Sequence, residues 1–459
     1  MPNSVIRVGG SSIGNEPSIQ NLTAFLEKSH ARVFLVVSAV PRILDIIGTA
    51  IEHVFEINPD EKAEQLATVF YEMTGEMPTS GYRELTEQCI NILKGISLIG
   101  DYSEALSDQV KSFSEKLTAE IFQHHLAKNG TPSRIIDPGE FGLKASSDFG
   151  NATYLSVDES FFGVLEEGFF IVPGSFGISE GGKIARAGKT AADYTAAFLA
   201  QSLGVAELEL WGLDHDFQRA DPQIVDSSPR IERLTYSEAS ELAYFDHYSF
   251  HPRTVEPLES RHIPIRVLNT STAEGIVETS INTEAYVEGQ IVKSVACTDD
   301  ISLLRLNGPG VGLKPGILAR VTSSLNEAGI NIKSVITSQI SINLILEKDA
   351  GDKALELMQQ PDFSSVKEIS VIKDISLIGV VGHGMQQNYG VSARIFSAVS
   401  QSKINVLLSG SGASDLVSYL VVKSSDKERS VRKIYEAFFP ESGQPFNDEN
   451  VYSPKTFLK

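Results

Sequence analysis

The chain has 459 residues, more than one ordinary core accommodates, and its 42% apolar content fills two to four domains without cross-links. Lys plus Arg against Asp plus Glu, 39 − 59, leaves a net charge of −20, which disfavours nucleic-acid partners, whose binding rests on neutralising phosphates. With only Cys89 and Cys297, no apolar run of membrane length and no basic, apolar leader before VIRV at 5–8, a disulfide framework, a cysteine-held metal and a membrane span are excluded, and a soluble cytoplasmic protein is expected.

Strand-like apolar runs at 5–8, 33–37, 169–172 and 264–268 alternate with helical patterns, which predicts an α/β core with its sheet covered on both faces. Asn58, Pro59 and Asp60 are start signals for a helix whose Ala63, Leu66, Phe70 and Met73 share one stripe. A second helix carries Val110, Phe113, Leu117 and Ile121 and stops near Asn129-Gly130, where a left-handed cap costs little.

Beyond about residue 290 the chain repeats itself. ISLLRLNG at 301–308 matches ISLIGVVG at 375–382, and GILARVTSSLNEAGINI at 316–332 matches GVSARIFSAVSQSKINV at 390–406, both offset by 74 residues (375 − 301 and 390 − 316). Gly316/Gly390, Ala319/Ala393, Arg320/Arg394, Ile330/Ile404 and Asn331/Asn405 are identical across the repeat. Each unit reads strand, glycine turn, amphipathic helix, strand, a ferredoxin-like half pattern in duplicate.

Chemistry is suggested at a few points. Val8-Gly9-Gly10-Ser11-Ser12 follows a strand and precedes a helix, so its amides could converge on phosphate oxygens, with Arg7 adding a fixed positive charge. Most such turns merely reverse the chain. Ser38 ends VFLVVSA and reads equally as a ligand contact or as a hydroxyl bonded to its own backbone. Asp193 opens the helix DYTAAFLA, where an acidic residue favours the dipole whatever else it does. GKIARAGKT resembles a phosphate-binding loop but spaces its glycines by five residues where four are required. His215 between Asp214 and Asp216 lacks the partner spacing of a metal site, and no metal ligand is assigned.

Taken together, RVGGSS at 7–12, ADYTAAFLAQSL at 192–203, ADPQIV at 220–225, HPRTVEP at 251–257, IPIRVLNT at 263–270 and the C-terminal repeat resemble the aspartate kinases from end to end. The resemblance implies an α/β amino-acid-kinase fold with a central, mostly parallel sheet, followed by two ferredoxin-like ACT domains. The implied boundaries are 1–285 for the kinase domain, 290–370 completed by 440–459 for the first ACT domain, and 371–439 for the second. It implies ATP-dependent phosphorylation of the L-aspartate β-carboxylate, with Mg²⁺, in lysine, threonine and methionine biosynthesis. No fused homoserine dehydrogenase is expected.

By the same resemblance Arg7 stands for a lysine that stabilises the transferred phosphoryl group, and Asp193 organises the donor phosphates and their metal. Gly9, Gly10 and Ser12 would cradle phosphate, and Asp214 and Asp216, with Arg219, could restore a nucleotide loop. Ser38, Glu115 and Lys189 would hold the substrate: Glu115 its α-ammonium, Lys189 its α-carboxylate in place of an arginine. Glu115 by itself reads as a solvated helix position, and His251 reads as a buried structural histidine. Gly316, Ile317, Asn331 and Ser338 would line an amino-acid effector site, where Lys333 and Gln339 replace the acidic residues of lysine-sensing members. ACT pairing implies a homodimer; a duplicated dimerisation module without ligand is the alternative.

The chain departs from the family at Leu44, Lys189, Thr190, Ala191, Ala192, Gly212, Leu213, Gln218, Gln223 and Tyr248. These substitutions support a second reading, a catalytically impaired homologue serving as a regulatory or amino-acid-sensing subunit. A third keeps the chemistry with another carboxylate or nucleotide.

Overall fold

A computed structural model describes residues 3–28, 32–188, 191–212, 217–245, 250–285, 291–309, 311–312, 315–359, 366–411 and 414–440. The chain forms two compact units, 1–217 with 230–286, and 218–229 with 287–459.

The strands of the first unit are β1 (Asn3–Val8), β2 (Arg32–Val37), β3 (Ser133–Ile135), β4 (Lys144–Ala145), β5 (Tyr154–Ser156), β6 (Gly168–Pro173), β7 (Phe176–Ser179), β8 (Ile184–Arg186), β9 (Leu208–Trp211), β10 (Arg233–Thr235), β11 (Ile265–Leu268) and β12 (Val277–Asn282). Eight of them form one sheet in the order β10-β12-β11-β9-β1-β2-β6-β3; β5-β4-β7-β8 form a smaller one. Pairing is parallel except between β11 and β12, so the expected mostly parallel sheet is what forms. Val33, Phe34, Leu35, Val36 and Val37 of β2 are all buried, because helices cover both faces of a parallel sheet.

The helix at Pro59–Thr74 starts where Asn58 accepts the Asp60 amide (3.1 Å) and ends at Gly75, whose φ of 73° only glycine adopts without strain. Leu66 and Phe70 are buried, with Ala63 and Met73 packed beside them. The helix at Glu104–Lys128 buries Val110, Phe113, Leu117 and Ile121 in the same core; its left-handed turn falls on Gly130, not Asn129. The second helix matters most, because it carries a candidate site residue into the interior.

The second unit contains β13 (Val292–Thr298), β14 (Ser302–Asn307), β15 (Ile332–Thr337), β16 (Ser341–Leu346), β17 (Glu368–Ile372), β18 (Ile375–Gly382), β19 (Leu408–Gly410) and β20 (Val417–Lys423). One sheet runs β15-β16-β14-β17 and the other β13-β18-β20-β19. The repeat is structural: Gly308 N donates to Ile340 O (2.9 Å) and Gly382 N to Leu416 O (2.8 Å). Gly316 and Gly390 open the paired helices at φ 88° and 91°. The fourth strand of the first sheet is β17; of the segment 440–459, residues 441–459 lie outside the described part of the chain. The fourth place in the second sheet is taken by β13, from before the first module.

The excursion 218–229 belongs to this second unit. Ala220 bridges Val295 in parallel, Ile224 joins the core of Val292, Val295 and Ile378, and the Arg219 guanidinium lies 5.0 Å from the Phe439 ring centre. Arg219, expected to support a nucleotide loop, is thus a packing residue here.

Candidate active site

Glycine is required at positions 9 and 10 by the approach of neighbouring backbone. A Cβ on Gly9 would lie 1.9 Å from Gly212 O, and one on Gly10 2.0 Å from Ala39 O. The Gly9 amide is bonded to Trp211 O at 2.9 Å, which ties the end of β1 to the end of β9. Ser12 is buried against Gly212, where a Cβ would fall 1.8 Å from its Oγ. A side chain at position 212 is therefore incompatible with Ser12 as placed.

Arg7 points from β1 into the interior and is 3% exposed. Its Nε lies 2.6 Å from Asp193 Oδ1, and its Nη1 donates to Gly212 O at 3.0 Å. Asp193 sits in the first turn of the helix Ala192–Leu203, and its Oδ2 accepts the His251 amide at 3.2 Å. The aspartate thus stands at a helix N-terminus, as the dipole favours, while its oxygens serve Arg7 and His251. Two charges sealed from water persist only when paired and hydrogen-bonded in this way.

Ser38 N donates to Val8 O at 3.1 Å, placing Ser38 at the carboxyl end of β2 beside the Gly9 turn. Its buried Oγ has no hydrogen-bond partner among the described residues. A lone hydroxyl of this kind fits an anionic ligand oxygen and does not fit the self-bonded reading.

A second ion pair lies in the same unit. Glu115, 2% exposed, takes two bonds from Arg186 of β8: Nη2 to Oε1 at 2.9 Å and Nη1 to Oε2 at 3.2 Å. Arg186 Nη1 also donates to Lys111 O at 2.7 Å. Asp108 Oδ2 accepts both Arg186 N (2.8 Å) and Gly150 N (2.7 Å), fixing the strand that presents the guanidinium. Burial pushes the Glu115 carboxyl upward, while Arg186 and the Ser175 hydroxyl pull it back. Ser175 holds φ 73°, a strained value for serine, with its amide bonded to Thr195 Oγ1 at 2.9 Å.

Lys189, the expected carboxylate ligand, lies outside the described residues, as do Asp214 and Asp216. Thr190, Leu213, His215 and Tyr248 lie outside them too. Leu44 is 45% exposed on the helix Pro41–Glu52. Sequence reasoning missed Arg186: the resemblance gave the carboxylate role to Lys189, and Arg186 was not singled out. An arginine alternating with apolar residues in IAR was the available signal.

His251 is not solvated. It is 8% exposed, its Nδ1 accepts the Arg253 amide at 3.2 Å, and its ring hydrogen-bonds the Ala187 backbone. Burial, with Arg253 nearby, lowers its pKa to about 4.

In the second unit, Gly316 and the buried Ile317 begin one helix, Asn331 is exposed just before β15, and Ser338 Oγ lies 2.9 Å from Ser341 Oγ in the turn after it. Lys333 is engaged by Asp300, through its carbonyl at 2.8 Å and its carboxylate at 3.1 Å. Among the described residues no three His, Cys, Asp or Glu groups assemble as a metal site, and no helix is long and apolar enough to cross a membrane.

Residues 4–269 match the amino acid kinase family, more than half of the chain. The chain belongs to the amino acid kinase family. Residues 304–360 and 378–438 of this amino acid kinase match the ACT domain. It is 25% identical over 464 residues to a bifunctional aspartokinase/homoserine dehydrogenase of Haemophilus influenzae, covering 95% of this chain and 56% of that protein. It is 25% identical over 454 residues to aspartokinase 3 of Bacillus subtilis, covering 95% of this chain and 98% of that one. The chain thus spans about half the length of the first relative and nearly all of the second. E. coli aspartokinase III, solved with aspartate and ADP, superposes with a TM-score of 0.81 at 22% identity over 95% of this chain and 100% of that chain. The resemblance to aspartokinases with tandem ACT domains holds, and so does the fold expected from it.

Proposed function

We propose that this amino acid kinase is an aspartate kinase, transferring the γ-phosphoryl group of ATP to the β-carboxylate of L-aspartate to give 4-phospho-L-aspartate. The observation that carries this reading is the pair of buried ion pairs in one unit, Arg7 with Asp193 and Glu115 with Arg186. Phosphoryl transfer needs positioning and charge stabilisation more than covalent chemistry, and sealed charges supply both. ATP and Mg²⁺ would supply the phosphoryl group and neutralise its charge.

Arg7 holds a positive charge at the end of β1 for the transferring group, and Asp193 orients that guanidinium. Asp193 would be the carboxylate to hold the magnesium ion, although here its two oxygens are engaged by Arg7 and the His251 amide. The partnerless Ser38 Oγ adds a donor beside the Gly9 turn, where Gly10 and Ser12 complete the wall. Glu115 takes the substrate α-ammonium and Arg186 its α-carboxylate, each giving up part of the bidentate pairing they make with one another in the absence of substrate. Lys189 keeps its expected role toward the same α-carboxylate, shared with Arg186, and Asp214 and Asp216 keep their nucleotide roles as part of this proposal.

The boundaries that go with this reading are 1–285 for the kinase domain, and 290–370 and 371–439 for the ACT domains. The ACT pair joins two copies of the chain in the cytoplasm and takes an amino-acid effector near Gly316, Ile317, Asn331 and Ser338. The test is formation of aspartyl hydroxamate from L-aspartate, Mg·ATP and hydroxylamine, with Asp193→Ala as control. Turnover lost in the control is the expected result; folded wild-type protein without turnover refutes the reading.

A further inference from the structure

His251 touches both ion pairs by different atoms. Its backbone amide donates to Asp193 Oδ2 at 3.2 Å, on the Arg7 side. Its ring works toward Arg186: Nδ1 accepts the Arg253 amide at 3.2 Å, so the neutral ring carries its proton on Nε2, which donates to the Ala187 carbonyl. The same nitrogen lies beside Gly188, where an added Cβ would stand 3.7 Å from it. Ala187 in turn donates its amide to Ser175 O at 3.0 Å, and Ser175 bonds Glu115.

The ring has little freedom to leave this position. It stacks on Tyr194 at 5.7 Å between centres and 14° between planes, and Tyr194 stacks on Tyr154 at 4.6 Å and 15°. Tyr154 Oη shares a 2.8 Å bond with Thr195 Oγ1, the same hydroxyl that accepts Ser175 N. Imidazole, two phenols and Thr195 therefore brace the turn at 187–188 from one side, while Asp108 holds Arg186 from the other.

We propose that the His251 ring is a positioning residue for the substrate side of the site: its Nε2–H holds the Ala187 carbonyl and thereby sets Arg186 against Glu115. Its contact with Asp193 runs through the main chain and survives any side-chain change. Loss of the ring should therefore act on the amino-acid acceptor and leave the nucleotide side alone. The kinetic form of this statement rests on the kinase reading above; the structural form does not.

Two substitutions divide the ring's tasks. His251→Asn keeps an oxygen at the Nδ1 position to accept Arg253 N but cannot reach Ala187. His251→Gln extends a donor to the Nε2 position but gives up the Arg253 cap. Kinetics in the full-length protein and amide hydrogen exchange of the segment 176–188 would be measured for both. In His251→Asn, KM for L-aspartate should rise about tenfold with kcat and the nucleotide KM little changed, and Ala187 protection should fall by a similar factor. In His251→Gln both should return most of the way to wild type, although the cap is lost. If Asn preserves exchange and KM better than Gln, or both merely follow thermal stability, the ring is only a cap and the proposal is wrong. If wild type has no turnover, the kinase reading fails, and the exchange comparison alone decides the positioning claim.

Discussion

Arg7 Nε and Asp193 Oδ1 meet at 2.6 Å with side-chain exposures of 4% and 0%, one from the second-last residue of a central strand, the other from the first turn of a helix 186 residues later (193 − 7). Strand β1 and the helix Ala192–Leu203 are thereby joined through charge at the point where the sheet's carboxyl ends open. Arginine suits this place better than the lysine expected from the aspartate kinases. It spans Asp193 with Nε while Nη1 reaches the Gly212 carbonyl.

Removing the cation is costly in two ways. Arg7→Ala strands a buried carboxylate, at about 3–5 kcal/mol of stability, and deletes the charge proposed to act on the transferring group. Arg7→Lys should fold nearly as well as wild type and keep part of the activity, because Lys retains the charge but loses the bond to Gly212. Urea midpoints and hydroxamate formation should rank wild type, then Lys, then Ala. Equal activity in all three would remove Arg7 from the site.

Glu115 and Arg186 should behave as an acceptor site. Each charge-assisted bond contributes about 1.5–3 kcal/mol, so Glu115→Gln should raise KM for L-aspartate by about ten- to a hundredfold. Arg186→Lys should act similarly, since a point charge cannot make both bonds to Glu115 and the bond to Lys111 O. KM for ATP should move little. A matching rise in nucleotide KM would mean that the two ion pairs are one site and not two.

The alternation of strands and helices, the caps at Asn58 and Gly75 and the repeat after residue 290 were readable because they depend on neighbours in sequence. Leu66 and Phe70 declare their burial by spacing alone. Arg186 did not, because its meaning comes from Glu115 and Asp108, 71 and 78 residues away. Gly212 read only as a departure from the family, and that an added Cβ there would fall 1.8 Å from the Ser12 Oγ could not be read from sequence. Position 219 read as a nucleotide-loop cation because sequence order places it after Trp211. Its contact with Phe439 exists only once the chain leaves the first unit.

His251 gives stability a pH dependence of known sign. Burial lowers the folded ring to about 4, against roughly 6.5 in an unfolded chain. Between those values the unfolded state binds the extra proton, so stability rises with pH through this window and is lost as pH falls through it. The full effect is on the order of 3 kcal/mol at one pKa unit per 1.4 kcal/mol. Raised carboxyls at Asp108 and Glu115 work in the opposite sense. The informative quantity is therefore the difference in urea midpoint between wild type and His251→Asn, measured at pH 4.5 and 7. The wild type should lose more stability on acidification; parallel behaviour would place the ring's pKa near its ordinary value.

Glycines at 9 and 48 make a matched test of what glycine is for in this fold. Gly48 lies inside the helix Pro41–Glu52 with nothing within 4 Å of an added Cβ, so Gly48→Ala should stabilise the protein by about 0.5–1 kcal/mol through helix propensity and unfolded-state entropy. Gly9→Ala places a methyl 1.9 Å from the Gly212 carbonyl, which is backbone and cannot swing aside. The strand-end turn must then open, breaking the 2.9 Å bond from Gly9 N to Trp211 O and shifting Arg7's contact with Gly212. Gly9→Ala should therefore lose both stability and turnover, while Gly48→Ala gains stability and keeps turnover. Melting temperatures and hydroxamate formation on the two variants decide the matter, and a Gly9→Ala protein as stable and active as wild type would show that β1 and β9 do not approach as closely as this geometry requires.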